Sequence, residues 1–240
     1  LTDVSFGFDT AKSIATEAID RLHTTATSHH RIIAVELMGH SAGWLALGAG
    51  IAGGADVILI PEIRYDIRAI AEFLNVRRQS GKRFSIIAVA EGALAVGASP
   101  EVERDEGKAN GRKRNGKKRP AAADEPEVGG GPLMIREPMV NRIVRELQAL
   151  TGVEARMTQL GHVQRGGTPT PADRLLCTRL GATAGELIAA RHYNVMVGVR
   201  GDTCVPVPLE KVAGVVRTVP ADHPWIRTAR LVGTCMGDRS

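Results

Sequence analysis

The sequence predicts an α/β protein built on a doubly wound parallel sheet. Two observations carry this. Short β-branched runs alternate with amphipathic stretches of helical period, the pattern of repeated strand–helix units. Aromatic residues make up only 3% of the 240 residues while Ala, Gly, Val, Ile and Leu abound, a composition suited to close packing of helices on a sheet.

Taken in order, 6–22 reads as an amphipathic helix, with Ile14, Ala18 and Leu22 at helical spacing. The Thr/Ser/His-rich stretch 23–30 reads as a break, with His29 and His30 in solvent. Residues 31–37 (RIIAVEL) form a buried strand, and a helix begins near Ser41. The Met38–Gly39–His40 turn between them is an anion-friendly corner, because backbone N–H groups and a helix dipole point into it. Strands are expected at 56–60 and 84–90, flanking a helix over 66–79 with Asp66 as its N-cap. Helices are expected at 135–150 and 173–190, strands at 154–160 and 194–199, and short helical pieces at 209–212 and 223–231. Ligands of such sheets bind beyond the carboxyl ends of the strands. Met38, Gly39, His40, Glu91 and His162 all fall at such ends.

Residues 92–131 break the pattern. They are rich in Gly, Lys, Arg, Glu and Pro with almost no apolar anchors, the composition of a disordered insertion. Between Glu101 and Arg119, eight cations face four carboxylates, which is most of the net charge of +5. The remainder is close to neutral, so no basic face for nucleic acid is implied. The apolar stretch 44–60 holds four glycines and Asp56 and falls short of the roughly 20 residues a membrane span needs. Cys177, Cys204 and Cys235 are odd in number and widely spaced, so they form neither a disulfide framework nor a metal-ligand pattern. Each reads as a small buried apolar residue, and a reducing, cytoplasmic setting is expected.

The densest chemistry lies in 156–174, RMTQLGHVQRGGTPTPADR. On a strand, Arg156, Thr158 and Leu160 share one face. Arg156, His162 and Arg165 are expected to converge at the strand end, where forked guanidinium groups match phosphate geometry. The competing reading is a surface loop with scattered charges.

The spacing of Arg156, Gly161, His162, Gln164, Arg165, Gly166, Gly167, Asp173 and Arg174 resembles the sugar-phosphate motif of the phosphofructokinase family. The stretch 35–62, VELMGHSAGWLALGAGIAGGADVILIPE, is also similar to that family, and the resemblance runs over nearly the whole chain. It implies phosphoryl transfer from ATP or pyrophosphate, with Mg2+, to the 1-hydroxyl of fructose 6-phosphate in glycolysis. By the same resemblance Arg31, Arg156, His162 and Arg165 clamp the 6-phosphate, Val163 and Gln164 are further substrate-binding positions, and Arg31 and Arg156 reach in from a neighbouring subunit of a homodimer or homotetramer. Met38, Gly39 and His40 line the sugar and the transferred phosphate, and Glu91 accepts hydrogen bonds from sugar hydroxyls. The family usually has arginine where His40 stands, and histidine carries charge only part of the time near neutral pH.

The resemblance places the family's catalytic aspartate, in a Thr-Ile-Asp-Asn-Asp segment, about five residues before Leu1, and its nucleotide and magnesium segment further upstream. Asp3 matches a later position, so no catalytic or metal residue is expected within the chain. The chain is expected to be a partial sequence, inactive alone. The implied domains are 1–6 as a remnant of one lobe, 7–167 as the fructose-6-phosphate lobe, and 168–240 as the return to the first, donor lobe with a C-terminal tail. Strand 194–199 is then expected to lack most of its sheet partners. Two other readings stand beside this one: a non-catalytic sugar-phosphate-binding or regulatory remnant, and an interaction protein acting through its basic segment.

Overall fold

The computed structural model of the chain describes residues 2–98 and 139–239. Four parallel strands form the central sheet: β1 (Ile32–Leu37), β2 (Val57–Leu59), β3 (Ser85–Ala90) and β4 (Ala155–Gln159), in the order β2-β3-β1-β4. Helices cover both faces, the doubly wound arrangement expected of βαβ crossovers. One face packs α1 (Phe8–His29) and α2 (Trp44–Ala52) on Ile33, Val35, Leu37, Ile58, Ile86 and Ala88. The other packs α3 (Ile67–Gln79) and α4 (Met139–Thr151) on Ile32, Ala34, Val57, Leu59, Ile87 and Val89. The strands β1, β2 and β3 are buried throughout, which explains why they read as continuous apolar runs. Helix α2 is itself almost wholly buried, and a Cβ on Gly50 would lie 2.8 Å from the Ile58 side chain. Glycine there lets the helix seat close against the sheet.

Several boundaries move for identifiable reasons. Helix α1 continues through 23–29, where the composition suggests a break. Ala26 extends its buried line from Ala15 and Ile19, and the His23 ring sits 2.7 Å from the Gly53 carbonyl and edge-on to Phe84. Tertiary contacts thus override weak local propensity. His29 is exposed as expected, and exposed His30 closes the helix in the left-handed region at φ 53. Asp66 caps α3 by accepting the Arg68 N–H at 2.9 Å, as its position predicts. Residues 92–98, assigned by composition to the insertion, have defined structure: Ala93 is buried, and Tyr65 pairs with this segment through Leu94 O and Val96 N. The rest of the expected insertion, 99–131, and residues 135–138 of the expected helix lie outside the described residues. Cys177 is exposed, and Cys204 and Cys235 are half-buried, contrary to the expectation of three buried thiols.

After β4 comes a 3-10 turn (Gly161–Arg165), then α5 (Pro171–Ala189), then the strands β5 (Val195–Arg200) and β6 (Thr203–Pro208). The expected strand 194–199 does have a partner. It forms an antiparallel hairpin with β6, a strand the sequence conceals behind Pro206 and Pro208. The segment Thr2–Asp3 lies along β5, with Asp3 N donating to Val199 O and the Asp3 carboxylate accepting from Gly201 N. That carboxylate serves the hairpin turn. The chain ends with α6 (Leu209–Val212) and α7 (Pro224–Leu231). Ile226, Ala229 and Met236 join the core of the central sheet, and Cys235 pairs with β2. The sequence groups these residues with the 168–240 unit, but the structure lays them on the four-stranded sheet.

Candidate functional site

Three loops meet at the carboxyl edge of the sheet because their strands are adjacent. Leu37 is the register partner of Ala90, and Glu36 that of Gln159. The residues that follow, Met38–His40, Glu91 and the 161–165 turn, are therefore neighbours. Glu91 N donates to Leu37 O at 2.9 Å and Leu160 N to Glu36 O at 3.2 Å, so the pairing extends to the base of each loop.

Glu91 organises the first two loops. Its Oε1 accepts from Gly39 N at 3.2 Å and from His40 N at 2.5 Å. His40 sits in the left-handed region at φ 55, uncommon for a non-glycine residue, and its exposed ring approaches the Ser41 hydroxyl at 3.3 Å. A Cβ on Gly92 would stand 2.4 Å from the His40 carbonyl oxygen, so the two loops can lie this close only with glycine there.

The expected anion corner before α2 needs correction. The Gly39 and His40 amides are held by Glu91, and Gly43 N donates to the Glu62 carboxylate at 3.0 Å. Internal carboxylates already serve the donors expected to face an anion. Glu62 also accepts from Val219 N at 2.8 Å, which ties the C-terminal segment to the start of α2. Its place after a buried strand, at Pro61–Glu62, was the one available signal.

The 161–165 turn supplies the cations. In a 3-10 helix with three residues per turn, residues i and i+3 lie above one another. His162 and Arg165 therefore share a side, and both are exposed, as is Val163. Gln164 faces the other way. It is 2% exposed, and its Oε1 accepts from Met38 N at 2.7 Å. Asp173, a fixed position of the motif, is also buried. Its carboxylate accepts from Gly7 N at 2.9 Å and Thr10 N at 2.8 Å, so it caps the start of α1 from within the first turn of α5. In the sequence Asp173 is a motif position at the start of a helix, and the amides it caps lie more than 160 residues away.

Arg31 and Arg156 lie elsewhere. Arg156 is the register partner of Ile33, near the start of β4, and Arg31 precedes β1. Arg31 is six residues before Leu37, roughly 20 Å at the rise of a strand. The two guanidinium groups share Glu154, with Arg31 Nε at 2.7 Å and Arg156 Nε at 2.8 Å from its carboxylate oxygens. Arg31 and Arg156 hold the Glu154 carboxyl below the usual carboxylate range. The expected convergence of Arg156 with His162 and Arg165 is therefore not made within one chain. A strand carries its side chains along its length, so six residues of sequence become a long separation.

Beside the site, buried Glu36 accepts a hydrogen bond from the amide of exposed Gln159. Burial pushes the Glu36 carboxyl up, the Gln159 amide opposes that shift, and the charge of Glu91 adds to it. Among the described residues no three His, Cys, Asp or Glu side chains gather as a metal site. No helix among them is long and apolar enough to cross a membrane.

The phosphofructokinase family model matches residues 1–188. An ATP-dependent 6-phosphofructokinase of Propionibacterium freudenreichii is 50% identical over 238 residues, which is 99% of this chain and 62% of that protein. One from Spirochaeta thermophila is 50% identical over 237 residues, 99% of this chain and 59% of its own length. The chain thus spans about three-fifths of these curated relatives. Among solved structures, phosphofructokinase from Saccharomyces cerevisiae superposes with a TM-score of 0.66 at 30% identity, over 88% of this chain and 24% of that one. A pyrophosphate-dependent phosphofructokinase from Marinobacter aquaeolei gives 0.60 at 19% identity, over 88% of this chain and 48% of its own, a likeness of fold alone.

Proposed function

The chain belongs to the phosphofructokinase family, and from that premise we propose that it carries the hexose-phosphate half of a 6-phosphofructokinase active site. The activity assigned is transfer of the terminal phosphoryl group of ATP to the 1-hydroxyl of fructose 6-phosphate, in glycolysis and in the cytoplasm. ATP is preferred over pyrophosphate because relatives named ATP-dependent reach 50% identity, whereas the pyrophosphate-dependent neighbours share 19% and 20%. The observation that carries the reading is the meeting of Glu91, Met38–His40 and His162–Arg165 at one sheet edge.

In this reading His162 and Arg165, stacked on the exposed side of their turn, hold the 6-phosphate, Arg165 through two parallel N–H donors. Val163 lines the same turn. Glu91 spends one oxygen on the Gly39 and His40 amides, and its remaining acceptor capacity takes sugar hydroxyls. Met38 and Gly39 line the sugar. Arg31 and Arg156 complete the phosphate clamp of a second copy, which makes the working unit a homodimer or a larger homo-oligomer. Their distance from His162 within one chain, and the largely exposed edge strand β4 that carries Arg156, support that assignment. No chemical step is assigned to magnesium through these residues.

Calorimetric titration of fructose 6-phosphate into the chain tests the reading. Binding is expected, and Arg165→Ala should weaken it on the order of 100-fold, the worth of a charge-assisted phosphate contact. Absence of any binding to the unaltered chain would overturn it. A second reading, a non-catalytic hexose-phosphate binder, is favoured by one observation. His40 stands where the family usually has arginine; it lacks a forked guanidinium, and its backbone N–H is held by Glu91. Sugar-phosphate binding without ATP-dependent turnover by the protein that carries this chain would select it.

A further inference from the structure

Gln164 differs from every other residue of the 161–165 turn, being buried where His162, Val163 and Arg165 are exposed. The two ends of its amide are unequal. Oε1 accepts the Met38 N–H at 2.7 Å, which fixes the orientation of the amide, because a backbone N–H needs an acceptor. Nε2 is buried and has no protein partner. Folded proteins rarely leave such a donor unmatched. Met38 opens the loop whose next two amides are held by Glu91. Gln164 is thus the direct side-chain link between the cation-bearing turn and the loop that faces the sugar.

We propose that Gln164 is a positioning residue rather than a substrate contact: occupancy of the His162–Arg165 turn fixes the Met38–His40 loop through it, and Nε2 gains its partner when the turn is filled. The inference rests on the hexose-phosphate reading for its ligand, but the Met38 contact stands without it. A hydrogen bond spanning 126 residues of sequence makes two loops move as one. A phosphate gripped by His162 and Arg165 would then set the backbone beside the sugar.

The test is amide hydrogen exchange by NMR on the full chain, with and without fructose 6-phosphate, for wild type, Gln164→Met and Gln164→Glu. Methionine keeps the shape and removes the acceptor; glutamate keeps the acceptor and removes the donor. In Gln164→Met, Met38 should exchange at least about tenfold faster while Val35 and Val89 in the sheet stay as in wild type. In Gln164→Glu, Met38 should stay within about threefold of wild type without ligand, but the slowing by fructose 6-phosphate seen in wild type should vanish. Equal Met38 protection in wild type and Gln164→Met overturns the proposal, as does a loss spread evenly over Met38 and the sheet. If Gln164→Met does not fold, Gln164→Glu decides: ligand slowing of Met38 equal to that in wild type overturns it. Fructose 6-phosphate leaving every wild-type amide unchanged would remove the functional reading and the ligand half of this inference, while the ligand-free rates still judge the Met38 contact.

Discussion

The candidate phosphate-site groups at the two ends of the parallel sheet are held in different ways. At the carboxyl end, Glu91, Glu62 and Gln164 spend their acceptors on backbone amides of Gly39, His40, Gly43 and Met38, so side chains brace main chain. At the amino end, the two arginines the resemblance assigns to the phosphate, Arg31 and Arg156, share one exposed carboxylate, Glu154, so these cations are held by a side chain alone. Amides held by buried or charged acceptors resist rearrangement, whereas an exposed ion pair is worth little and yields readily. The carboxyl end is therefore a preformed cradle, and the amino end presents a pair of cations on a releasable tether. The proposed site, completed by a second copy, would use both: one surface that keeps its shape and another that can exchange its partner for a phosphate.

The sharpest way to break this comparison is to mix two variants. Arg165→Ala removes a cation from the carboxyl end and Arg156→Ala one from the amino end. Each alone should weaken fructose 6-phosphate binding on the order of 100-fold. If the ends serve different copies, random mixing of the two variants as dimers should restore roughly a quarter of the tight sites, because half the dimers are mixed and each mixed dimer has one intact site. No recovery in a calorimetric titration of the mixture would mean that both cations act within one chain.

A smaller effect sharpens the carboxyl end. Burial raises the Glu36 carboxyl above its unfolded value. The native state then holds this proton more tightly than the unfolded state, so the contribution of Glu36 to stability is full below about pH 4 and is lost as pH rises through the folded pKa. Glu36→Gln keeps an acceptor for the Gln159 amide and abolishes the titration. Urea unfolding should show the variant gaining on wild type between pH 4 and 7. A constant difference across that range would contradict the burial argument.

The smallest effect belongs to the amino end. Glu154 titrates below the ordinary value because of Arg31 and Arg156, so its contribution is present above about pH 4.3 and fades as pH falls through the folded pKa. Glu154→Gln should leave the neutral-pH unfolding midpoint nearly unchanged, since the pair is exposed and screened by salt. If the tether view is right, the same variant should tighten fructose 6-phosphate binding slightly by freeing both arginines. Weaker binding would mean that Glu154 positions the arginines rather than restraining them.

The motif from Arg156 to Arg174 was legible as chemistry but not as geometry. Its residue types announced an anion site, and the alternation of strands and helices placed His162, Met38–His40 and Glu91 at the correct sheet edge. Sequence could not show that Gln164 and Asp173 turn inward, since a polar residue in a glycine-rich loop reads as exposed. Each finds its partner far along the chain, Met38 for Gln164 and Gly7 and Thr10 for Asp173. The hairpin was half visible, because Pro206 and Pro208 disguise β6 while its alternate positions still pair with β5.

The amino-acid sequence by itself determined the parallel core, through buried β-branched runs and helical periodicity, and the sheet edge on which Met38–His40, Glu91 and His162 fall. Only the tertiary structure decided which polar groups face that edge and which hold it together. Periodicity is a property of neighbours in sequence. The partner of a carboxylate or amide is chosen by adjacency across strands, which brings residues more than a hundred positions apart into hydrogen-bonding distance and separates others only six apart.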